Sequence, residues 1–279
     1  VTHGATYRLV DGITGEAAVT AAEPDPEVAR GLKALVRNVC LLPAPGERGE
    51  ARFVPRVACA TTASFQHLDA EEQRAVQRLH EDFFFRRNDA LWGATARARL
   101  GALCAETRML VCGEDLGMLS GCVRPTLERL HIAGLKILRF EDAPPARFGW
   151  LNVCATGSHD MSTLRGWWES ERASVERFWA MIGGPGDAPA VCTADVARAV
   201  VRAVLASPVL LASFPIQDVL ALHTAWSFGT SPEEERINDP AQPENRWDYR
   251  MTVSLEAMLA DTAFTGELRR LIADSGRKV

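Results

Sequence analysis

The chain has 279 residues, enough for one large domain or two modest ones, and its 47% hydrophobic and 24% charged residues match a water-facing globular protein. A net charge of −5 opposes a nucleic-acid partner, because phosphate backbones are gripped by basic surfaces, and the pairs Arg86-Arg87 and Arg269-Arg270 read as solvated helix faces. No run of about 18 apolar residues predicts a membrane-spanning helix, and seven scattered cysteines without zinc spacing predict reduced thiols, no metal and no cofactor.

In chain order, Glu27 to Leu41 has helical spacing, and Pro43-Ala44-Pro45-Gly46 breaks it. Asp69 reads as the N-cap of a long helix with Glu72 at N3 and a stripe of Val76, Leu79 and Phe83. Phe83-Phe84-Phe85 reads as core. Met109 to Cys112 is a short apolar run ended by Gly113, which predicts a buried strand. A helix around Val123, Leu127 and Leu130 follows, and then a strand from Leu135 to Phe140. Leu151 to Ala155 reads as a third strand, before a helix from about Ser162 to Met181 and another from Thr193 to Ala206. Val209 to Phe214 reads as a fourth strand, leading into a helix from about Gln217. Amphipathic helices near Ser254 to Leu259 and Glu267 to Ala273 close the chain. This alternation predicts an α/β fold with a parallel sheet and outer helices.

Two acid-bearing segments follow predicted strands: Gly113-Glu114-Asp115-Leu116-Gly117, and Ser158-His159-Asp160. In an α/β barrel such positions face the active site. Two acids brought there serve acid/base work if their environments separate their pKa values. The plainer reading is a helix N-cap, which suits Asp115 especially. Trp167-Trp168 has the size to stack on a sugar but reads as packing, and the histidines at 67, 80, 131 and 223 have no ligand spacing. Residue types and spacing alone reach a carboxylate-using α/β enzyme.

The wording of the chain goes further. Val111 to Gly117 (VCGEDLG) resembles the acid/base segment of the 4-alpha-glucanotransferases, the family of amylomaltases and disproportionating enzymes. Ser158-His159-Asp160 with Ser162 to Trp168 (STLRGWW) resembles their second signature. Phe83 to Trp92, Phe214 to Asp218 (FPIQD) and Ile237-Asn238-Asp239-Pro240 with Asn245 to Arg250 resemble three further elements, all in order. Cys154-Ala155-Thr156 and Ile-Asn-Asp-Pro are similar to the cytosolic, maltose-using plant and algal branch.

The resemblance implies the C-terminal half of a (β/α)8 TIM barrel, about strands five to eight, over residues 59–279. Residues 1–58 would be an irregular or helical lead-in or a barrel insertion. It implies Glu114 as general acid/base, Asp160 as transition-state stabiliser, and His159, Asp115 and Asn238 as substrate-binding residues. The implied partners are α-1,4-glucans such as maltose, maltodextrins or heteroglycan, with no nucleic acid or membrane. The implied location is the cytoplasm, with the plastid open because the chain does not begin with Met. The family's nucleophile is an Asp in an Arg-x-Asp-His type motif, and no Asp-His pair occurs here. A piece of a longer enzyme, unstable or inactive alone, is therefore expected. The competing readings are a related α-glucan hydrolase and a non-catalytic glucan-binding protein.

Overall fold

Capping and turn chemistry account for where most helices begin. A computed structural model of the chain describes residues 15–44, 52–227, 229–242, 244–245 and 247–277. These fall into two compact units: residues up to Thr95 with Met118–Cys122, and Ala96–Gly117 with all residues from Val123.

In the first unit, α1 (Glu16–Ala22) precedes α2 (Pro26–Arg37). Asp25 caps α2 by accepting from the Glu27 and Val28 N–H groups, and Pro26 sits at its first position, where a missing N–H costs nothing. The helix ends at Arg37, before the expected limit. Leu41–Ala44 instead forms β1, paired antiparallel with β2 (Arg52–Pro55). Pro43 is tolerated in β1 because this two-stranded sheet has only edges; Pro45 and Gly46 lie outside the described residues. After the short α3 (Ala63–Gln66), α4 (Ala70–Glu81) opens with the expected capping box of Asp69 and Glu72. It runs into a π-turn over Asp82–Arg86, whose three phenylalanines are half-buried rather than core. The π-turn offsets the helical stripe, so no single face carries all three rings inward. Helix α5 spans Asp89–Ala105, and its residues from Ala96 belong to the second unit.

The second unit holds the parallel sheet. Helix α6 (Val123–Arg129) leads to β3 (Gly134–Ile137), which pairs with β4 (Asn152–Ala155). After β4 come α7 (Leu164–Ser170), α8 (Arg172–Met181) and α9 (Ala194–Leu205). Strand β5 (Leu211–Ser213) lies parallel to β4, in the order β3-β4-β5. Helices α10 (Ile216–Leu220), α11 (Thr224–Ser227), α12 (Leu255–Ala260) and α13 (Thr262–Asp274) complete the unit. The fold class is thus α/β with a parallel sheet.

Several expected elements differ. The run Met109–Cys112 is not a buried strand: it joins β3 through one parallel bridge, Cys112 to Ala133, and Met109 is 77% exposed. It has a partner on one side only among the described residues, so its apolar side chains stay open to solvent. The helix expected from Ser162 to Met181 breaks at Glu171, whose backbone (φ −122°, ψ 61°) leaves the helical region. The strand from Leu135 gives way at Leu138 to a tight 3-10 turn, Leu138–Phe140. The last strand is confined to Leu211–Ser213.

The core packs helices against one sheet face. Cys154 of β4 belongs to one buried cluster with Trp167, Trp168, Val175, Phe178 and Val200. Trp167 and Trp168 are 2% and 1% exposed, so the pair packs as expected and is closed to a sugar. The opposite face carries Leu135, Val153 and Leu211, side by side in register because alternate strand residues share a face. They line an open hollow of about 450 Å³.

Candidate active site

The loop after β4 begins with the buried residues Thr156 and Gly157, rises to exposed His159 and Asp160, and returns to α7 at Thr163. Its base is tied to α10. Asp218 accepts from Thr156 Oγ1 at 2.5 Å and from the Leu164 N–H at 2.8 Å. Burial pushes the Asp218 carboxyl above the usual carboxylate range, against those two hydrogen bonds and the nearby Arg139 charge. Arg139 donates to the Ser162 carbonyl at 2.7 Å and lies 5.1 Å from the Trp167 ring centre. Its pKa is pulled down to about 10 by burial, partly opposed by the Asp218 charge.

A second tie runs to the segment after α11. Arg165 forms a buried ion pair with Glu235 and also donates to the Ser227 carbonyl. Glu235 accepts from Thr163 and Thr230, each at 3.3 Å, and Gln217 Nε2 donates to the Glu235 carbonyl at 3.0 Å. Burial raises the Glu235 pKa, with Arg165 pulling the other way. A buried pair of this kind fixes geometry more than it adds stability. Here it holds the segment 229–238, whose Asn238 reaches the His159-Asp160 loop.

On that base stand the exposed groups. Asn238 is buried, and its Nδ2 donates to Asp160 Oδ1 at 2.5 Å. Asn245 Nδ2 donates to Asn238 Oδ1 at 2.6 Å, completing a chain of two carboxamides that ends on the carboxylate. His159 Nε2 lies 3.3 Å from the other Asp160 oxygen, and its ring centre is 4.9 Å from that of Trp247.

The structure therefore brings together three of the residues singled out from the sequence, Asp160, His159 and Asn238. It sets the other two apart. Glu114 follows Gly113, whose N–H donates to the Ala133 carbonyl at 2.8 Å, and parallel register puts Glu114 level with Leu135. It lines the hollow with Leu135, Val153 and Leu211, exposed and without a hydrogen bond or ion pair to any described residue. Asp115 is not a helix cap, since α6 begins only at Val123. Its Oδ1 accepts the Leu135 N–H at 2.6 Å, and a Cβ added at Gly134 would lie about 3.0 Å from the carboxylate. Asp115 lines a separate, charged pocket of about 460 Å³ with Arg124, Lys136 and Glu141.

Sequence reading gave no role to Asp218, Arg139, Arg165, Glu235, Asn245 or Trp247. The available signal was polarity in apolar surroundings, as with Gln217 and Asp218 inside Phe214 to Leu222. No group of three or more His, Cys, Asp or Glu side chains among the described residues has the geometry to hold a metal. No helix among the described residues is long and apolar enough to cross a membrane.

Comparisons with known proteins bear on the family. The family model described as 4-alpha-glucanotransferase matches residues 39–256. The 4-alpha-glucanotransferase DPE2 of Oryza sativa subsp. japonica is 36% identical over 263 residues, covering 91% of this chain and 27% of that protein. The 4-alpha-glucanotransferase of Chlamydia caviae is 30% identical over 171 residues, covering 58% of this chain and 32% of that protein. An amylomaltase from Streptococcus agalactiae, solved in complex with acarbose, shares the fold with a TM-score of 0.50 at 15% identity, over 86% of this chain and 51% of that one. The chain thus spans about a third or less of the curated relatives it matches. Over that span, it belongs to the 4-alpha-glucanotransferase family.

Proposed function

We propose that this chain works in a 4-alpha-glucanotransferase, an enzyme that moves glucosyl or maltodextrin units between α-1,4-glucans. The observation that carries the reading is the Asp160 carboxylate, held by buried Asn238 and flanked by His159 at the C-terminal end of β4, in a chain of this family. Glu114 is the general acid/base: it protonates the leaving glycosidic oxygen and then takes the proton of the incoming sugar hydroxyl. Asp160 stabilises positive charge developing at the reacting carbon, and His159 binds the same sugar. Asn238 acts on the substrate side by holding Asp160. Asp115 keeps the turn after Glu114 in place through the Leu135 N–H. A retaining reaction also needs a nucleophilic carboxylate roughly 5–5.5 Å from the acid. No Asp-His pair stands in these 279 residues, so the reaction requires an Asp supplied from beyond them.

The finer fold reading is that residues 59–279 form the C-terminal half of a (β/α)8 barrel, with residues 1–58 a lead-in or insertion. It is supported by three parallel strands, a bridged fourth segment and an apolar sheet face turned away from the helices. Maltose, maltodextrins or heteroglycan are the proposed partners, in the cytoplasm. A second reading is glucan binding without catalysis.

Maltotriose disproportionation tests the proposal. The 279-residue chain should release no glucose. The protein carrying this chain together with an Arg-x-Asp-His segment should release glucose and longer products, and Glu114→Gln should lower its turnover about 10²- to 10⁴-fold with the fold intact. Robust turnover by the chain alone sinks the need for an outside nucleophile. Near-normal turnover of Glu114→Gln removes Glu114 from its role, and no transfer in any form leaves the binding reading.

A further inference from the structure

Trp247 stands apart from the other tryptophans of the site region. It is 53% exposed, whereas Trp167 and Trp168 are 2% and 1% exposed. Its backbone has φ 55°, the left-handed conformation that bulky L side chains avoid. Among the described residues its one ring contact is with His159, 4.9 Å between centres and tilted by 42°. Its indole N–H finds no acceptor among the described residues. A large apolar ring is thus held out in solvent, in a disfavoured conformation, beside the His159-Asp160 pair. The chain on its N-terminal side is anchored to the same pair, because Asn245 donates to Asn238 and Asn238 to Asp160. Strained residues persist where the surroundings determine them, and they cluster at ligand clamps.

We propose that Trp247 is a sugar platform: its indole face stacks on the C–H face of a glucose unit of an α-1,4-glucan lying next to the unit held by His159 and Asp160, and its N–H donates to a hydroxyl of that sugar. The chemistry is that of an aromatic residue with a polar edge, apolar area for the ring and one donor for orientation. The strained backbone aims the indole, and the Asn245-Asn238 link ties platform and carboxylate to one segment. Affinity for longer glucans therefore depends on the residue at 247, while the acid/base step does not. The proposal rests on the reading of His159 and Asp160 as sugar-facing residues, and its test separates the two.

The test titrates maltoheptaose into the protein carrying this chain, in a Glu114→Gln background so that no turnover intervenes, and follows binding by calorimetry. Trp247→Ala is expected to raise Kd about tenfold or more, with Trp247→Phe recovering most of the loss. In the active protein, the same Ala variant is expected to raise KM for maltoheptaose with kcat changed less than about threefold. Trp247→Gly, which relieves the strained backbone, controls for folding: it should keep the thermal midpoint of the parent and still bind weakly. Unchanged Kd in Trp247→Ala overturns the proposal. So does a drop in thermal midpoint that accompanies every loss of affinity, since that makes Trp247 a packing residue. Asp160→Asn in the same background separates the two readings: a raised Kd in Trp247→Ala with an unchanged Kd in Asp160→Asn removes the sugar-facing reading of the pair and keeps the platform, whereas the reverse removes the platform alone.

Discussion

Asn238 Nδ2 donates to Asp160 Oδ1 at 2.5 Å, joining two residues 78 apart in the chain. The amide is itself held by Asn245 at 2.6 Å, so the Asp160 carboxylate inherits its orientation from a buried group rather than from its own exposed loop. Removing the amide frees the carboxylate to rotate. Asn238→Ala is expected to lower kcat about 10- to 100-fold, the scale of a misplaced catalytic group, with a smaller change in KM. Steady-state kinetics on maltotriose checks this. A rise in KM with kcat intact would instead place Asn238 on the sugar.

Arg165 and Glu235 are both buried and form an ion pair. Arg165→Met leaves the Glu235 carboxylate without its counter-ion and is expected to cost about 3–5 kcal/mol in urea unfolding. The double variant Arg165→Met/Glu235→Leu should recover most of that loss, since an apolar pair replaces the ionic one. If the double variant is as unstable as the single one, the lost hydrogen bonds to Ser227 and Thr163 are the larger contribution.

Asp218 carries a pH dependence of known sign. Its folded-state pKa lies above the unfolded aspartate value of about 3.9, with burial the largest cause. The folded state therefore binds the proton more tightly. The associated stability is complete below the unfolded pKa and is lost as pH rises through the raised folded value. Asp218→Asn cannot ionise, so the stability of wild type relative to this variant should fall as pH is raised from about 4 towards 7. Unfolding curves across that range check it, and a difference that grows with pH would reverse the assignment.

Gly184 sits against the indole of Trp179, where an added Cβ would overlap the ring. Trp179 is buried among Val175, Phe178 and Trp168 and donates to the Pro185 carbonyl at 3.3 Å, so it has little room to yield. Gly184→Ala is expected to destabilise by roughly 1–3 kcal/mol, the usual cost of overpacking. Gly186, with open space around its Cα, takes the same substitution without a clash but at φ 62°, so its cost is backbone strain alone. Comparing the two thermal midpoints separates contact from conformation.

Local chemistry made much of the fold legible in the sequence. The Asp69-Glu72 capping box depends on residues three apart, and α4 starts where it predicts; Thr193 and Ser254 cap α9 and α12 over the same spacing. The strands β3 and β4 and the packing of Trp167-Trp168 follow from apolar patterning. Met109 to Cys112 was not legible in this way, because an apolar run records a tendency to be covered and not the presence of a cover. For Phe83 to Phe85, a π-turn changes the face that each ring presents.

By its wording alone the sequence determined the family, the alternation of β3, β4 and β5 with helices, and which two loops carry Glu114 and the His159-Asp160 pair. Only the tertiary structure decided how those groups are held. Asn238 grips Asp160, Asp218 and Arg139 hold up the loop from inside, and Trp247 stands exposed beside His159. These contacts join residues 54 to 78 positions apart, except for Arg139, which reaches 23, and Trp247. Spacing along the chain records periodic local structure, whereas a hydrogen bond across such a distance exists only after the parallel sheet has brought its loops to one end.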